Sequence, residues 1–187
     1  FTAEENDSFT IYAQDSAYEI SYDEDGNASA TPAGNISSKT VAITKIDKAV
    51  PSIGLETSQA EGGIVVSIAA GNAGGSGVSV QVSKGREDAE TRPGDSYTIS
   101  EPGTYTFTAV TGAGNSVSQD ITVYKAVFSG GDDGPTKQLI VSGGSLGEPE
   151  APSRDGYTFV KWQDSSGQDV TFPVTVTGDT DIGFTAV

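Results

Sequence analysis

The clearest structural signal is an alternating stretch at residues 104–110, Thr-Tyr-Thr-Phe-Thr-Ala-Val. In an extended chain it places Tyr105, Phe107 and Ala109 on one face and the threonines on the other, the spacing typical of a half-buried strand. Further apolar or alternating runs lie at residues 63–69, 78–82, 120–124, 138–141, 157–162 and 182–187. Because turn residues such as Gly, Asn and Asp separate these runs, the sequence predicts an all-β fold built of short strands.

The composition excludes several classes of function. The 187 residues carry a formal net charge of -16, which argues against a general grip on nucleic acid or on anionic lipid. Without Cys or His, the chain has no disulfide, no thiol nucleophile, no imidazole base and no Cys/His zinc site. The sequence has no apolar run of about 18 residues, the length that can span a membrane. Because Met is absent, Phe1 is expected to be an internal cut or a processed end.

An internal repeat sets the expected domain boundaries. Residues 1–13 align with residues 97–109, and residues 33–45 align with residues 113–125. The offset falls from 96 to 80, so the first copy carries a 16-residue insertion. The second copy also includes residues 48–96, for which the first copy has no equivalent. The repeat predicts boundaries near residues 47 and 125, with a linker at residues 46–51 and either a partial domain or a small separate sheet before it.

The second copy resembles a bacterial immunoglobulin-like domain. The resemblance rests on Pro-Gly-Thr-Tyr-Thr-Phe-Thr-Ala at residues 102–109, Ala-Gly-Asn at residues 113–115 and Ile-Thr-Val at residues 121–123. It implies an Ig-like β-sandwich at residues 48–125 and the C-terminal part of a second such module at residues 1–47, with an inserted hairpin at about residues 16–32. The Gly103, Tyr105 and Phe107 spacing predicts a tyrosine corner, in which the hydroxyl bonds to nearby backbone.

The C-terminal stretch resembles the Listeria–Bacteroides repeat, also called the internalin B repeat. The resemblance rests on residues 147–162, Gly-Glu-Pro-Glu-Ala-Pro-Ser-Arg-Asp-Gly-Tyr-Thr-Phe-Val-Lys-Trp, and on residues 172–186; Val187 stands where an aromatic residue is usual. The resemblance implies a small β-grasp-like module at residues 126–187, joined to the preceding module with little slack through residues 122–128. It also implies a bacterial protein that is extracellular or attached to the cell wall.

The 16-residue insertion is the candidate binding site. Tyr18, Ile20 and Tyr22 alternate before the turn Asp-Glu-Asp-Gly-Asn at residues 23–27, a strong hairpin signal. We hypothesise a projecting β-ribbon whose Tyr18, Ile20 and Tyr22 contact a host protein or a glycan. The alternative is that this face packs onto its own domain, as most apolar strand faces do.

Several residues resemble chemical sites, but a structural role is expected for each. Asp23, Asp25 and Asn27 resemble the start of a calcium loop, but no acid follows at the required distance, so we expect a solvated turn, no metal and no cofactor. Trp162 could stack on a sugar, but the resemblance assigns it to the module core. The 26 acids cluster in turns, where a hydrolase pair with one raised pKa is not expected. An isopeptide bond would require a buried lysine, for which Lys39 and Lys161 are the candidates.

The sequence therefore predicts a non-catalytic modular segment of a bacterial surface or secreted protein, acting as a stalk or adhesion region. The alternative is a carbohydrate-binding accessory region of a secreted glycan-active enzyme. The expected partners are a host protein or glycan and neighbouring repeats of the same protein. The open sheet edge of a partial module at residues 1–47 also predicts dimerisation.

Overall fold

The computed structural model describes residues 6–15, 18–32, 34–43, 46–92, 94–178 and 181–187. The chain divides into two compact units, Phe1–Asp47 and Lys48–Val187. Every regular element in the described residues is a β-strand, which confirms the predicted all-β fold class. These residues contain no helix that could span a membrane.

The first unit contains two antiparallel strand pairs, and the second pair lies between the two strands of the first pair in the sequence. Strand β1 (Asp7–Gln14) pairs with β4 (Ile36–Ile43), and β2 (Tyr18–Tyr22) pairs with β3 (Ala28–Pro32). The amide of Asp15 donates to the carbonyl of Asn35, 3.2 Å away, between the two hairpins. No described side chain of this unit is buried. The described part of this unit thus consists of four strands in two pairs and contains no buried core.

The second unit begins with a β-sandwich. One sheet has the order β5-β6-β9, formed by Ser52–Ala60, Gly63–Gly71 and Ser96–Ile99. The other contains β7 (Val78–Lys84), β8 (Glu90–Arg92), β10 (Gly103–Thr111) and β11 (Ser116–Ser129). Both sheets contribute to the first core, whose buried members are Ile64, Val66, Ile68, Val80, Val82, Ile99, Tyr105, Phe107, Ile121 and Val123. The sandwich is consistent with an Ig-like fold.

The remaining strands extend the second sheet and enclose another core. Strand β12 (Thr136–Val141) pairs antiparallel with β11, and β16 (Ile182–Ala186) pairs parallel with it. Strand β14 (Trp162–Asp164) adds to β16, while β13 (Ser145–Leu146) and β15 (Val174–Thr175) form a short separate pair. The buried members of this second core are Tyr124, Ala126, Phe128, Ile140, Leu146, Trp162, Val176 and Phe184.

Strand β11 contributes side chains to both cores. Ile121 and Val123 lie in the first core, whereas Tyr124, Ala126 and Phe128 lie in the second. Since successive side chains of a strand point to opposite faces, the two cores lie on opposite faces of the β11–β12 pair. The predicted passage at residues 122–128 is therefore continuous strand, with no flexible linker between the cores.

The tyrosine corner forms as predicted. The hydroxyl of Tyr105 donates to the backbone carbonyl of Glu101 over 3.1 Å. Gly103 between them has φ of 143° and lies against the Lys84 side chain, where an added Cβ would come within 3.0 Å of Cε. Lys84 also forms an ion pair with Glu101 at 2.5 Å, and this hydrogen bond holds the pKa of Glu101 below its ordinary value.

Candidate binding surface

The β2–β3 ribbon presents three large side chains to solvent. Tyr18, Ile20 and Tyr22 have exposed fractions of 61%, 58% and 70% and lie at alternate positions of β2, so they share one face. The strand register sets Tyr22 opposite Ala28, a small residue that leaves the ring uncovered. We call these three residues the ribbon face. In the part of the unit that the structure describes, the ribbon face is exposed to solvent.

The opposite face of this ribbon is polar. Glu19 and Ser21 alternate with the ribbon face on β2 and are exposed. Ser21 and Ser29 are cross-strand partners, and their hydroxyl oxygens are 3.0 Å apart. The ribbon therefore has one apolar and one polar side, the pattern of a strand pair that buries one face.

The ribbon tip is strongly acidic. Residues 18–32 contain Glu19, Asp23, Glu24 and Asp25 and no Lys or Arg. Three of these acids follow Tyr22 directly, so the negative charge lies beside the aromatic end of the ribbon face. Such a field favours a partner with positive groups around an apolar patch.

The calcium-like residues Asp23, Asp25 and Asn27 build the turn itself. Asp23 Oδ1 accepts hydrogen bonds from the amides of Asp25 (3.0 Å) and Asn27 (2.8 Å), and its Oδ2 accepts from Asn27 Nδ2 (3.0 Å). These bonds, led by the one from the Asn27 side chain, lower the pKa of Asp23. In the residues that the structure describes, no three acids are grouped in a way that could hold a metal ion.

The same turn recurs where a calcium signature is absent. In the turns at residues 111–115 and 164–168, the first residue also accepts the amide of the fifth through a side-chain oxygen, Thr111 Oγ1 or Asp164 Oδ1. The fourth residue is glycine at positive φ in all three turns, namely Gly26, Gly114 and Gly167. The acidic spacing at residues 23–27 is thus accounted for by turn geometry.

A second surface feature, missed by the sequence analysis, is a groove in the C-terminal part of the chain. It has a volume of about 240 Å³, and its lining includes Pro152, Arg154, Tyr157 and Phe159. The Arg154 guanidinium carbon lies 4.1 Å from the ring centroid of Tyr157, a cation–π contact across a turn closed by the Tyr157 amide and the Arg154 carbonyl. The order Arg-Asp-Gly-Tyr at residues 154–157 was the sequence signal that could have indicated this contact.

Trp162 is part of the second core. Its exposed fraction is 2%, and its ring packs edge-on against Phe128 with centroids 5.3 Å apart. Phe159 contacts the same ring, also at 5.3 Å. The structural role implied by the family resemblance is therefore the one observed, and Trp162 does not offer a face to a sugar.

Neither lysine considered for an isopeptide bond is buried. Lys39 is exposed on β4. Lys161 Nζ lies 2.7 Å from Asp169 Oδ2, and the side chains of the pair are 40% and 60% exposed. The bond from Lys161, followed by one from Gln163, lowers the pKa of Asp169. These are features of an ordinary surface ion pair.

Part of the chain matches a known family. Residues 124–187 match the Listeria-Bacteroides repeat domain. This repeat is found in bacterial surface proteins. The match begins at Tyr124, the first residue that β11 contributes to the second core. No curated protein and no solved structure gives a significant match, so the resemblance of residues 48–125 to bacterial immunoglobulin-like domains stays a prediction.

Proposed function

We propose that the chain is a non-catalytic stalk and adhesion segment of a bacterial surface or secreted protein, and that the ribbon face contacts a host protein or glycan. The observation that carries this proposal is the exposure of Tyr18, Ile20 and Tyr22 together on one side of a two-stranded ribbon. The surface localisation draws on the Listeria-Bacteroides repeat at residues 124–187.

The ribbon face has the properties of a contact surface. Tyrosine offers a large amphipathic ring with little conformational entropy to lose, which is why it is frequent in binding surfaces. Contiguous exposed apolar side chains rimmed by polar groups mark interaction sites in soluble proteins. The acids at positions 23–25 would orient a partner whose apolar patch is flanked by Lys or Arg.

The arrangement of the strands in Lys48–Val187 suits a stalk. The 14-residue strand β11 belongs to both cores, so the two modules meet through paired strand. Strand β12 pairs with β11 across this junction, and Leu139 and Val141 pack against the first core while Ile140 lies in the second, so bending there would distort the β11–β12 ladder. Such a junction resists bending better than a Gly- or Ser-rich linker would.

The titratable groups support the absence of catalysis in this proposal. Among the carboxyl groups that the structure describes, Asp23, Glu101, Asp169 and Asp181 each have a pKa that is lowered by hydrogen bonds. A glycoside hydrolase of the usual type needs one carboxylic acid whose pKa is raised. Release of reducing sugars from a panel of polysaccharides by the purified chain would contradict this part of the proposal.

The adhesion role is tested with beads coated with the 187-residue chain and layered on epithelial cells, and in parallel on a glycan array. The triple variant Tyr18→Ala, Ile20→Ala, Tyr22→Ala should lower bound beads or array signal by about tenfold or more, as expected when aromatic anchors are lost. The control is Glu19→Ala with Ser21→Ala, which alters the opposite face of the same strand and should retain binding.

Both variants should leave the urea unfolding of Lys48–Val187 unchanged, since neither touches its cores. Equal binding by the triple variant and the wild type would overturn the assignment of the ribbon face. Binding that is lost in both variants would show that the ribbon fold, and not this face, is required, and would also overturn it.

A carbohydrate-binding accessory region is the second candidate, and the groove beside Tyr157 favours it. The exposed ring of Tyr157, the apolar wall formed by Phe159 and Pro152, and the cation of Arg154 suit an acidic sugar. Affinity electrophoresis in polygalacturonate and in a neutral glucan separates the two candidates. Retardation in polygalacturonate that Arg154→Ala abolishes, and that the triple ribbon variant keeps, would favour this second function.

A further inference from the structure

The β1–β4 hairpin has the same strand register as the β10–β11 hairpin. The internal repeat aligns Asp7 with Gly103 and Ile43 with Val123. The structure pairs Asp7 with Ile43 and, independently, Gly103 with Val123. Every further pair along the two ladders corresponds in the same way. The two hairpins are therefore equivalent elements, and the 16 extra residues lengthen the loop of the first into the β2–β3 ribbon.

Equivalent positions differ in burial. In the second unit, the face with Tyr105, Phe107, Ala109, Ile121 and Val123 is buried in the sandwich, and Phe107 has no exposed surface. The corresponding face of the first hairpin, which we call the inner face, consists of Phe9, Ile11, Ala13, Val41 and Ile43. Ile11, the counterpart of Phe107, is 61% exposed, and Val41 is 39% exposed.

The other face of each hairpin is built for solvent. The hydroxyls of Thr10 and Thr40 are 2.9 Å apart across β1 and β4, and those of Thr108 and Ser118 are 2.8 Å apart across β10 and β11. Lys39, which interrupts the inner face opposite Ile11, corresponds to Gln119, which is exposed beside Phe107 in the sandwich. The two hydroxyl pairs lie at different positions of the ladders, since Thr108 and Ser118 align with Tyr12 and Ser38. The outer faces of both hairpins are thus mainly polar, with Tyr12 and Ile36 as exposed exceptions in the first.

Phe107 is covered by the sheet β5-β6-β9 and flanked by β7, whereas the first unit contains no counterpart of these strands among its described residues. A second copy of the chain cannot supply that sheet, because its own β10 and β11 already cover it. The sequence alignment also continues upstream, where Phe1, Thr2 and Ala3 correspond to Tyr97, Thr98 and Ile99 of β9.

We infer that the inner face docks onto a β-sheet of the β5-β6-β9 type, in which the strands equivalent to β5 and β6 are contributed by the polypeptide N-terminal to Phe1. The β1–β4 hairpin then supplies the last two strands of a further Ig-like sandwich, and the β2–β3 ribbon projects from the end of that sandwich. The expected occupant is apolar on the face that meets Ile11 and Val41, as β6 is with Ile64, Val66 and Ile68.

The test compares Ile11→Asp with Tyr12→Asp in the natural polypeptide extended upstream by a stretch as long as residues 48–96. Ile11 and Tyr12 are similarly exposed in the structure, at 61% and 70%, but lie on opposite faces of β1. The extension should slow amide exchange in β1 and β4 by about 100-fold or more. Once the hairpin is buried, its amides can exchange only when the whole domain unfolds. Ile11→Asp should abolish this protection, whereas Tyr12→Asp and the conservative Ile11→Leu should keep it.

Three results would overturn the inference: no added protection on extension, equal effects of Ile11→Asp and Tyr12→Asp, or a dimer of the 187-residue chain that Ile11→Asp dissociates. The last result would identify a second copy as the occupant. The outcome is independent of the proposed adhesion role, since none of these variants alters Tyr18, Ile20 or Tyr22.

Discussion

The β1–β4 and β10–β11 hairpins have the same register and a similar alternation of apolar and polar residues, yet only the second is buried. Phe107 is covered by the opposite sheet, while its counterpart Ile11 is exposed. The difference comes from the strands that accompany each hairpin. An isolated pair of strands is marginally stable in water, and a third strand or a covering layer is needed to bury one of its faces.

This comparison shows that an alternating pattern specifies which face a strand buries, but not what covers that face. The inner face of the first hairpin and the ribbon face beyond it are both mainly apolar. Ile11 and Val41 of the inner face are exposed while Phe9 and Ile43 are half-buried, and all three residues of the ribbon face are exposed. The internal repeat separates their roles. The inner face has a buried counterpart in the sandwich, whereas the ribbon face lies in the 16-residue insertion and has none.

Truncation of equivalent core positions should have the largest and most unequal effects. Phe107→Ala removes a ring with no exposed surface and should lower the free energy of unfolding of the second unit by about 3–5 kcal/mol. Ile11→Ala at the equivalent exposed position should change the free energy of opening of the β1–β4 hairpin by less than about 0.5 kcal/mol. Urea unfolding followed by Trp162 fluorescence measures the first cost, because Trp162 lies in the second unit, and amide exchange in β1 and β4 measures the second. Similar costs for the two variants would mean that the hairpins have similar environments.

The tyrosine corner should give an intermediate effect in one hairpin only. Tyr105→Phe removes the hydrogen bond to the Glu101 carbonyl and should cost about 0.5–1.5 kcal/mol. The reverse change in the first hairpin, Phe9→Tyr, should leave amide exchange in β1 and β4 of the 187-residue chain unchanged. A neutral Tyr105→Phe would show that the hydroxyl is satisfied equally well by water.

The smallest effect should be a pH dependence where Lys125 of β11 pairs with Asp181, the residue before β16. Asp181 accepts hydrogen bonds from Lys125 Nζ (2.7 Å) and from the Lys125 amide (3.1 Å), and the side-chain bond is the main cause of its lowered pKa. Since the folded pKa lies below the unfolded one, this stabilisation is present above the unfolded value, about 3.9, and is lost as the pH falls through the folded pKa.

Asp181→Asn should therefore lower stability by less than about 1 kcal/mol near neutral pH, because the pair is partly exposed. The difference from the wild type should vanish at acidic pH. A hydrogen bond after β4 serves as the comparison, because its acceptor carries no charge. The amide of Ile46 donates to the side-chain oxygen of Asn6 over 2.8 Å. Asn6→Ala should therefore produce no pH-dependent difference in stability. Urea unfolding at several pH values checks both. A pH-independent effect of Asp181→Asn would contradict the assigned cause.

Much of the fold could be predicted from strongly patterned segments. The alternation at residues 104–110 and the Gly103–Tyr105 spacing gave the buried face of β10 and the tyrosine corner. Strand β5 was missed because only Ile53 and Leu55 among its nine residues mark the core side, and its second half is exposed. Its position depends on pairing with β6, which a local pattern does not encode.

The predicted strand at residues 157–162 is largely wrong. Regular structure begins only at Trp162, because the amides of Val160 and Lys161 both point at the Val187 carbonyl and make no continuous ladder. Tyr157 and Val160 are exposed as a result, and the Arg154–Tyr157 contact depends on this irregular path. A period-two pattern does not reveal such a path, which is why the groove was not found from the sequence.

Amide hydrogen exchange on the 187-residue chain tests the difference between the two hairpins most directly. Residues 105–109 and 117–121 should exchange only with global unfolding of the second unit, whereas residues 9–13 and 37–41, paired in the same register, should exchange through local opening and far faster. Equal protection of the two hairpins in the isolated chain would contradict the account.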